Sequence, residues 1–216
     1  MIGSRRSVEL RAREQSVGLQ AVAVLLRYPD ADLLASLDLV SEAAATLPPA
    51  VADPLTRLCN HLQATALEDL QAHYVDTFDL RRRCCLYLTY FSHGDTRKRG
   101  MALLRFSHTY RAAGVEFLGG DLPDHVAVVC EFAATVDPVQ GMRLLTEHRA
   151  GLEVLRTALV DVGSPYSWVV DALCALLPAA SARDLDKARE LARSGPPEEE
   201  VGLEPYGPPE TTGVRR

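Results

Sequence analysis

Apolar residues recur at three- or four-residue intervals along most of the chain, and this spacing most constrains the fold. Leu19, Val22 and Leu26 lie on one face of a helix, as do Leu103, Phe106 and Tyr110 further on. We find no convincing alternation of the kind that strands show. Leu and Ala are abundant and Ile is nearly absent, which favours helices over sheets. The sequence therefore predicts an all-α, single-domain multi-helix bundle.

Capping residues, prolines and glycines predict where these helices begin and end. In the first half of the chain we predict a helix over 14–27, a helix after Asp30 or Asp32, a helix over 51–63, and a capping box from Thr65 to Glu68. Next we predict a helix from an Asp95 cap to Ala113 with Gly114 as its stop, and a helix capped by Asp121 with Pro123 in its first turn. In the last part we predict a helix restart at Asp137-Pro138 with its apolar stripe running on to Gly163, another helix after Ser164-Pro165, and a last helix from Ser181 to Arg193.

Composition divides the chain into three parts. Residues 1–13 are polar and basic and are predicted to be a flexible N-terminus. Residues 14–194 form the helical domain. Residues 195–216 contain five prolines and the run Glu198-Glu199-Glu200, which predicts a disordered acidic tail.

The net charge of −6 and the pI of about 5.5 weigh against nucleic-acid binding, which relies on a basic surface. An acidic surface favours a basic or amphipathic partner. No run of about 18 apolar residues occurs, so no membrane insertion is expected. No secretory signal is evident, and the five cysteines are an odd number for a disulfide framework. We therefore expect a cytoplasmic protein with free thiols.

The usual catalytic and cofactor motifs are missing from the sequence. It has no P-loop, no Gly-x-Gly-x-x-Gly and no Gly-x-Ser-x-Gly. Cys84 and Cys85 are adjacent, which does not suit a zinc site. Asp69, His73 and Asp76 share a helical face that is more typical of solvated residues than of a cation site. We predict no catalytic residue, no metal site and no cofactor of its own.

Three segments carry a resemblance to a known family. They are Tyr-Val-Asp-Thr-Phe-Asp at 74–79, the fifteen residues from Leu86 to Gly100, and Leu-Pro-Asp-His at 122–125, followed by Glu131-Phe132. The 86–100 stretch is the most specific. Together they resemble the nitrate reductase molybdenum cofactor assembly chaperones, or "delta subunit" type, over roughly residues 15 to 180. The resemblance implies the helical fold of redox-enzyme maturation chaperones.

The resemblance also implies a function. Such chaperones are not enzymes. They bind the N-terminal segment of the nitrate reductase catalytic (alpha) subunit, or the alpha–beta complex, help molybdenum cofactor enter, and delay membrane docking. Two alternatives stay open, a different client of the dimethyl-sulfoxide-reductase type and an all-helical metal-dependent enzyme. A helical transcription regulator is disfavoured because residues 17–26 carry no charge.

A helical peptide bound in a groove needs apolar pockets and a charged rim. The resemblance to the wider class places Asp124 and His125 beside the peptide groove, and a His there would make binding pH-dependent. The residues predicted to form the pockets are Tyr74, Phe78, Tyr87, Leu88, Tyr90 and Phe91, and those predicted for the acidic rim are Asp76, Asp79, Asp121, Asp124 and Glu131.

Overall fold

The computed structural model describes residues 2–118 and 120–197, with side chains from residue 11 onward. Within these residues there are eleven α-helices and no strand, so the all-α fold is confirmed. The helices are α1 (Ile2–Leu25), α2 (Ala31–Ala44), α3 (Pro49–Ala64), α4 (Leu67–Tyr74), α5 (Tyr90–His93), α6 (Arg97–Ala112), α7 (Val126–Thr135), α8 (Pro138–Glu147), α9 (Arg149–Asp161), α10 (Ser167–Leu176) and α11 (Ala182–Ser194). A π-helical turn (Val75–Asp79) continues α4, and a short 3₁₀ turn (Arg82–Cys84) follows.

Helix α1 lies at the centre of the bundle and packs against α2, α3, α7 and α10. Its predicted apolar stripe is confirmed, because Leu19, Val22 and Leu26 are fully buried. The helix begins at Ile2 rather than near Glu14, so the backbone of the N-terminal segment continues its axis. The flexibility expected for residues 1–13 stays a prediction.

Three predicted helix starts are confirmed by their capping bonds. Asp30 accepts a 2.7 Å bond from the Leu33 backbone and opens α2. Asp137 accepts from Gln140 at 3.0 Å with Pro138 next to it, and opens α8. Ser181 and Asp184 form a reciprocal capping box at α11. Each cap satisfies backbone donors that the first turn leaves without a partner.

Two predicted helix starts are wrong because the side chain of the predicted cap forms a different bond. The Thr65 hydroxyl donates to the His61 carbonyl at 2.8 Å and ends α3, so there is no capping box and α4 begins after Ala66. Asp95 accepts from Arg99 at 2.9 Å on the surface, and Thr96 is the residue that precedes α6.

The extent of one predicted helix also differs from the structure. The stripe predicted to run on to Gly163 is divided at His148 into α8 and α9. Gly114 stops α6 as predicted, at a backbone angle φ of +82° that favours glycine.

Among the helices of residues 2–118 and 120–197, none is long and apolar enough to cross a membrane. The predicted acidic tail lies almost wholly outside the described residues, which end at Pro197.

Candidate peptide-binding groove

An open cavity of about 620 Å³ lies where α1, α4 and α7 approach one another. One wall is the second half of α1 with the turn after it, and another is the start of α7 with the turn before it. The π-helical turn and residues 86–87 complete the lining. The lining residues are Gln20, Ala23, Val24, Arg27, Tyr28, Asp30, Tyr74, Phe78, Asp79, Leu86, Tyr87, Asp121, His125, Ala127, Val128 and Glu131. The volume lies within the usual range of ligand pockets.

Aromatic rings form one side of this groove. Tyr74 packs against Phe78 with ring centroids 4.7 Å apart, and Phe78 rests on Tyr166 at 4.9 Å. Tyr28 meets Tyr74 edge-on at 5.4 Å and keeps 47% of its surface exposed. The Tyr74 hydroxyl donates to the Leu26 carbonyl at 3.0 Å, which ties α4 to the end of α1. The rings are therefore fixed in place before any ligand arrives.

The π-helical turn determines which residues of this wall face the groove. The backbone N–H of Leu80 donates to the carbonyl of Val75 at 3.1 Å, so the turn holds one residue more than an α-turn does. Phe78 and Asp79 both line the cavity, one apolar and one acidic. Such turns inside helices are frequently found at functional sites.

The second wall is organised by a backbone crossing between residues 86–89 and residues 124–126. Val126 donates to the Leu86 carbonyl at 2.9 Å, and Leu88 donates to the Asp124 carbonyl at 3.0 Å. Tyr87 and His125 thereby form an isolated antiparallel bridge, with their rings 5.3 Å apart and edge-on. The crossing brings two residues distant in sequence to the same edge of the groove.

Asp124 lies beneath this crossing and has no exposed surface. Its Oδ2 accepts two bonds from Thr89, at 3.0 Å from the backbone N–H and at 2.6 Å from the hydroxyl. The Arg99 guanidinium donates to the Thr89 hydroxyl at 3.3 Å and lies over the rings of Tyr87 and Tyr90. The carboxylate therefore supports the loop that presents Tyr87, and does not itself line the cavity.

His125 is the residue that caps α7, so the predicted Asp121 cap is wrong. The His125 Nδ1 accepts from the Ala127 backbone at 3.3 Å, which leaves the proton of the neutral ring on Nε2. Burial lowers the pKa of His125, although the charges of Asp121 and Asp124 oppose this. The ring therefore stays neutral at neutral pH.

The rim of the groove is acidic. Asp30, Asp79, Asp121 and Glu131 contribute four carboxylates, and Arg27 contributes one positive charge. Asp76, which was also predicted for the rim, pairs with Arg81 at 2.7 Å and does not line the cavity. Such a rim attracts a cationic ligand.

Seven of the twelve predicted site residues meet in this groove. They are Tyr74, Phe78, Asp79, Tyr87, Asp121, His125 and Glu131. Besides Asp76, the residues Leu88, Tyr90, Phe91 and Asp124 do not line it and are buried elsewhere in the bundle. Phe91 packs on Gly151 of α9. A role in peptide binding stays a prediction for all twelve.

Sequence reasoning missed the wall that α1 contributes. Gln20, Val24, Arg27 and Tyr28 line the cavity, although none of them was predicted as a site residue. A signal was available in Arg27-Tyr28-Pro29, where a cation and an aromatic residue stand directly before a helix-breaking proline.

Metal-binding and thiol chemistry find little support at this site. No group of three or more His, Cys, Asp or Glu side chains in the described part of the chain is arranged to hold a metal ion. His73 instead bonds Ser164 at 3.0 Å and stacks on Tyr166. Burial raises the pKa of the Cys85 thiol to about 11, so it is protonated at neutral pH.

Comparison with known proteins supplies the family. Residues 44–171, more than half of the chain, match the family described as nitrate reductase delta subunit. The chain belongs to that family. The matched range includes most of the groove except its α1 wall.

Several related proteins of the delta subunit family have names that state a role. The chain is 31% identical to the nitrate reductase molybdenum cofactor assembly chaperone NarJ of Escherichia coli, over 81% of this chain and 74% of that protein. It is 26% identical to the probable chaperone NarJ of Bacillus subtilis, over 81% and 96%. It is 43% identical to the nitrate reductase-like protein NarX of Mycobacterium tuberculosis over 72% of this chain, but spans only 23% of NarX.

A solved structure supports the delta subunit fold. The chain resembles a protein from Archaeoglobus fulgidus described as a redox enzyme maturation protein, with a TM-score of 0.56 over 73% of this chain and 90% of that one. The sequence identity is 23%, so this likeness shows the fold alone. It confirms the predicted multi-helix architecture.

Proposed function

We propose that the protein is a nitrate reductase molybdenum cofactor assembly chaperone without catalytic activity. It binds the N-terminal segment of the catalytic subunit in the groove, assists cofactor insertion, and delays membrane docking until assembly is complete. The observation that carries this proposal is the open, aromatic-walled and acid-rimmed groove in a chain related to NarJ. The client segment, the alpha–beta complex as partner, and the delay of docking belong to the proposal.

The groove suits a basic amphipathic helix. A helix is about 10 Å wide with its side chains, and its apolar face would lie on Tyr28, Tyr74 and Phe78. Its basic residues would meet Asp79, Asp121 and Glu131 at the rim. The rim charges accelerate the encounter, and burial of the exposed part of Tyr28 adds affinity.

Calorimetric titration tests this directly. A synthetic peptide of the first residues of a nitrate reductase catalytic subunit is titrated into the full-length protein. We expect saturable binding that weakens as ionic strength rises, because the rim charges are exposed and become screened. The absence of heat at high micromolar peptide would contradict groove binding.

A matched pair of variants assigns the binding to the groove. Glu131 is an exposed rim residue, and Glu190 is exposed on α11, which contributes no residue to the lining. We expect Glu131→Gln to weaken the peptide about two- to fivefold, the usual worth of an exposed charge pair. Glu190→Gln should leave the affinity unchanged. Equal effects would mean that the peptide responds to net charge and not to the groove.

The assembly role needs a cellular test. The chaperone is used to capture the full catalytic subunit and a form lacking its first few tens of residues, and the membrane fraction of each is measured with and without the chaperone. We expect capture and delayed membrane association only when the N-terminal segment is present. Capture of both forms would support the catalytic subunit as the client but contradict the N-terminal segment as the part that is bound.

A further inference from the structure

Helix α6 presents a basic and apolar face to solvent in a chain whose net charge is −6. Met101 is 71% exposed and Leu104 is 56% exposed, which is unusual for neighbouring large apolar residues on one helix. Positions three and four apart share a side of a helix, so both lie among the cations. We call this surface the α6 face, and its residues are Arg97, Lys98, Met101, Leu104, Arg105, His108 and Arg111.

A basic amphipathic face of this kind is suited to an anionic partner with some apolar character. The groove does not explain it, because no α6 residue lines the groove. Arg105 donates to Glu147 of α8, which fixes the middle of α6 to the bundle and leaves the face outward.

The end of the described chain lies beside the first turn of α6. After α11 ends at Ser194, the chain reaches Gly94, where the Pro197 carbonyl oxygen occupies the position that a Cβ on residue 94 would take. Gly94 also has a φ of +54°, so both its conformation and its neighbour require glycine. Gly94 stands three residues before Arg97, the first residue of α6, and the chain is therefore led to that end of the helix.

Residues 198–216, which lie outside the described part, match the α6 face in the order of their chemistry. Glu198-Glu199-Glu200 comes first, then Val201 and Leu203, then Glu204 and Glu210, with Arg215 and Arg216 last. On the α6 face two cations come first, then Met101 and Leu104, then further basic residues. A helix of 16 residues is about 24 Å long, and about eight extended residues cover that length.

We propose that the acidic segment 198–216 binds the α6 face of its own chain. The three consecutive glutamates lie at the first turn of α6, and Val201 and Leu203 cover Met101 and Leu104. The segment thereby occupies a surface that would otherwise be open to any anionic partner, and its release makes the face available. This proposal does not depend on what the groove binds.

Zero-length carbodiimide coupling tests the contact, because the chain has two lysines, Lys98 and Lys187. Lys187 is exposed on α11 and is closer in sequence to the glutamates than Lys98 is. Pro197 lies beside Gly94, however, so attachment alone brings the first glutamates near Lys98, and the informative quantity is how far this coupling depends on the α6 face. A segment held on α6 raises the local concentration of carboxylates at Lys98 further, so we expect most of the coupling to be lost when the face is altered.

The products are read by peptide mapping of the monomer, in the full-length protein. Arg97→Glu should reduce the coupling of Lys98 to the segment several-fold, and the control Arg189→Glu on α11 should not change it. Roughly 1 M salt, where the Debye length is about 3 Å, should also reduce it. Unchanged coupling of Lys98 in Arg97→Glu, equal coupling to both lysines, or coupling found only in covalent dimers would overturn the proposal.

Discussion

The crossing of residues 86–89 with residues 124–126 has two sides, and they differ in how they hold their side chains. On the groove side, the Tyr87 side chain is half-buried and packs edge-on against the His125 ring without a side-chain hydrogen bond between them. On the inner side, Asp124 and Thr89 have no exposed surface and share two short hydrogen bonds. Of the residues adjacent in sequence at the crossing, some therefore form the surface of the groove and others support it from inside.

The largest effect is expected from Asp124→Ala. The substitution removes the acceptor of both Thr89 donors and leaves them buried without partners, which costs about 2–4 kcal/mol of unfolding free energy. The exposed rim acid Asp121 is the matched control, and Asp121→Ala should change stability by less than about 0.5 kcal/mol. Urea denaturation of both variants measures the difference. Similar losses would show that Asp124 is not the structural member of the pair.

A second pair of variants, Tyr87→Ala and Leu88→Ala, tests the groove side and the inner side within one segment of the crossing. Tyr87 lines the groove, so its removal should weaken the client peptide about tenfold, with a loss of stability below about 1 kcal/mol. Leu88 is 1% exposed, so its truncation should cost about 2–4 kcal/mol of stability. Calorimetry reports the first effect and denaturation the second. If Leu88→Ala weakened binding as much as Tyr87→Ala while folded, the division would fail.

The smallest effect concerns pH. Burial lowers the pKa of His125 from 6.5, so the unfolded chain binds a proton more readily than the folded one. Unfolding free energy should therefore fall as pH drops through about 6.5 toward the folded pKa. Protonation would also remove the Nδ1 acceptor that caps α7. His125→Asn keeps a capping side chain without titrating, so its stability should fall less steeply between pH 7 and pH 5.

The pKa values of His73 and His148 are also lowered by burial, so the variant should retain part of the slope. Denaturation curves at several pH values measure each slope. An unchanged slope in His125→Asn would assign the whole effect to the other two histidines.

Much of the fold follows from the sequence because helical periodicity and capping chemistry are local. Asp30, Asp137 and Ser181 open helices as predicted, since each side chain bonds a backbone group three residues ahead. Thr65 and Asp95 have the same residue chemistry, but Thr65 bonds backward to a carbonyl and Asp95 pairs with an arginine. A sequence does not distinguish these uses, because the choice depends on how the neighbouring elements pack.

The site was predictable only in part for the same reason. Tyr74 and Phe78 were assigned to the groove from aromatic content near acids, and both line it. Asp124 was assigned to the rim because the family resemblance places its segment beside the groove. The crossing instead turns its side chain inward, and that crossing joins segments more than thirty residues apart. The α1 wall was missed because the apolar stripe of a helix predicts which face is buried, but not which polar residues beside it will line a cavity.

The wide turn at Val75–Asp79 holds one residue more than an ordinary helical turn needs. Loss of a single residue there would let the segment relax into ordinary α-helix, and the side chains within the turn would rotate by up to about 100° while the elements after it kept their places. The aromatic ring and the carboxylate now offered to a ligand would be exchanged for their neighbours with little change to the rest of the bundle. A one-codon deletion would therefore alter what the protein accepts without rebuilding its core.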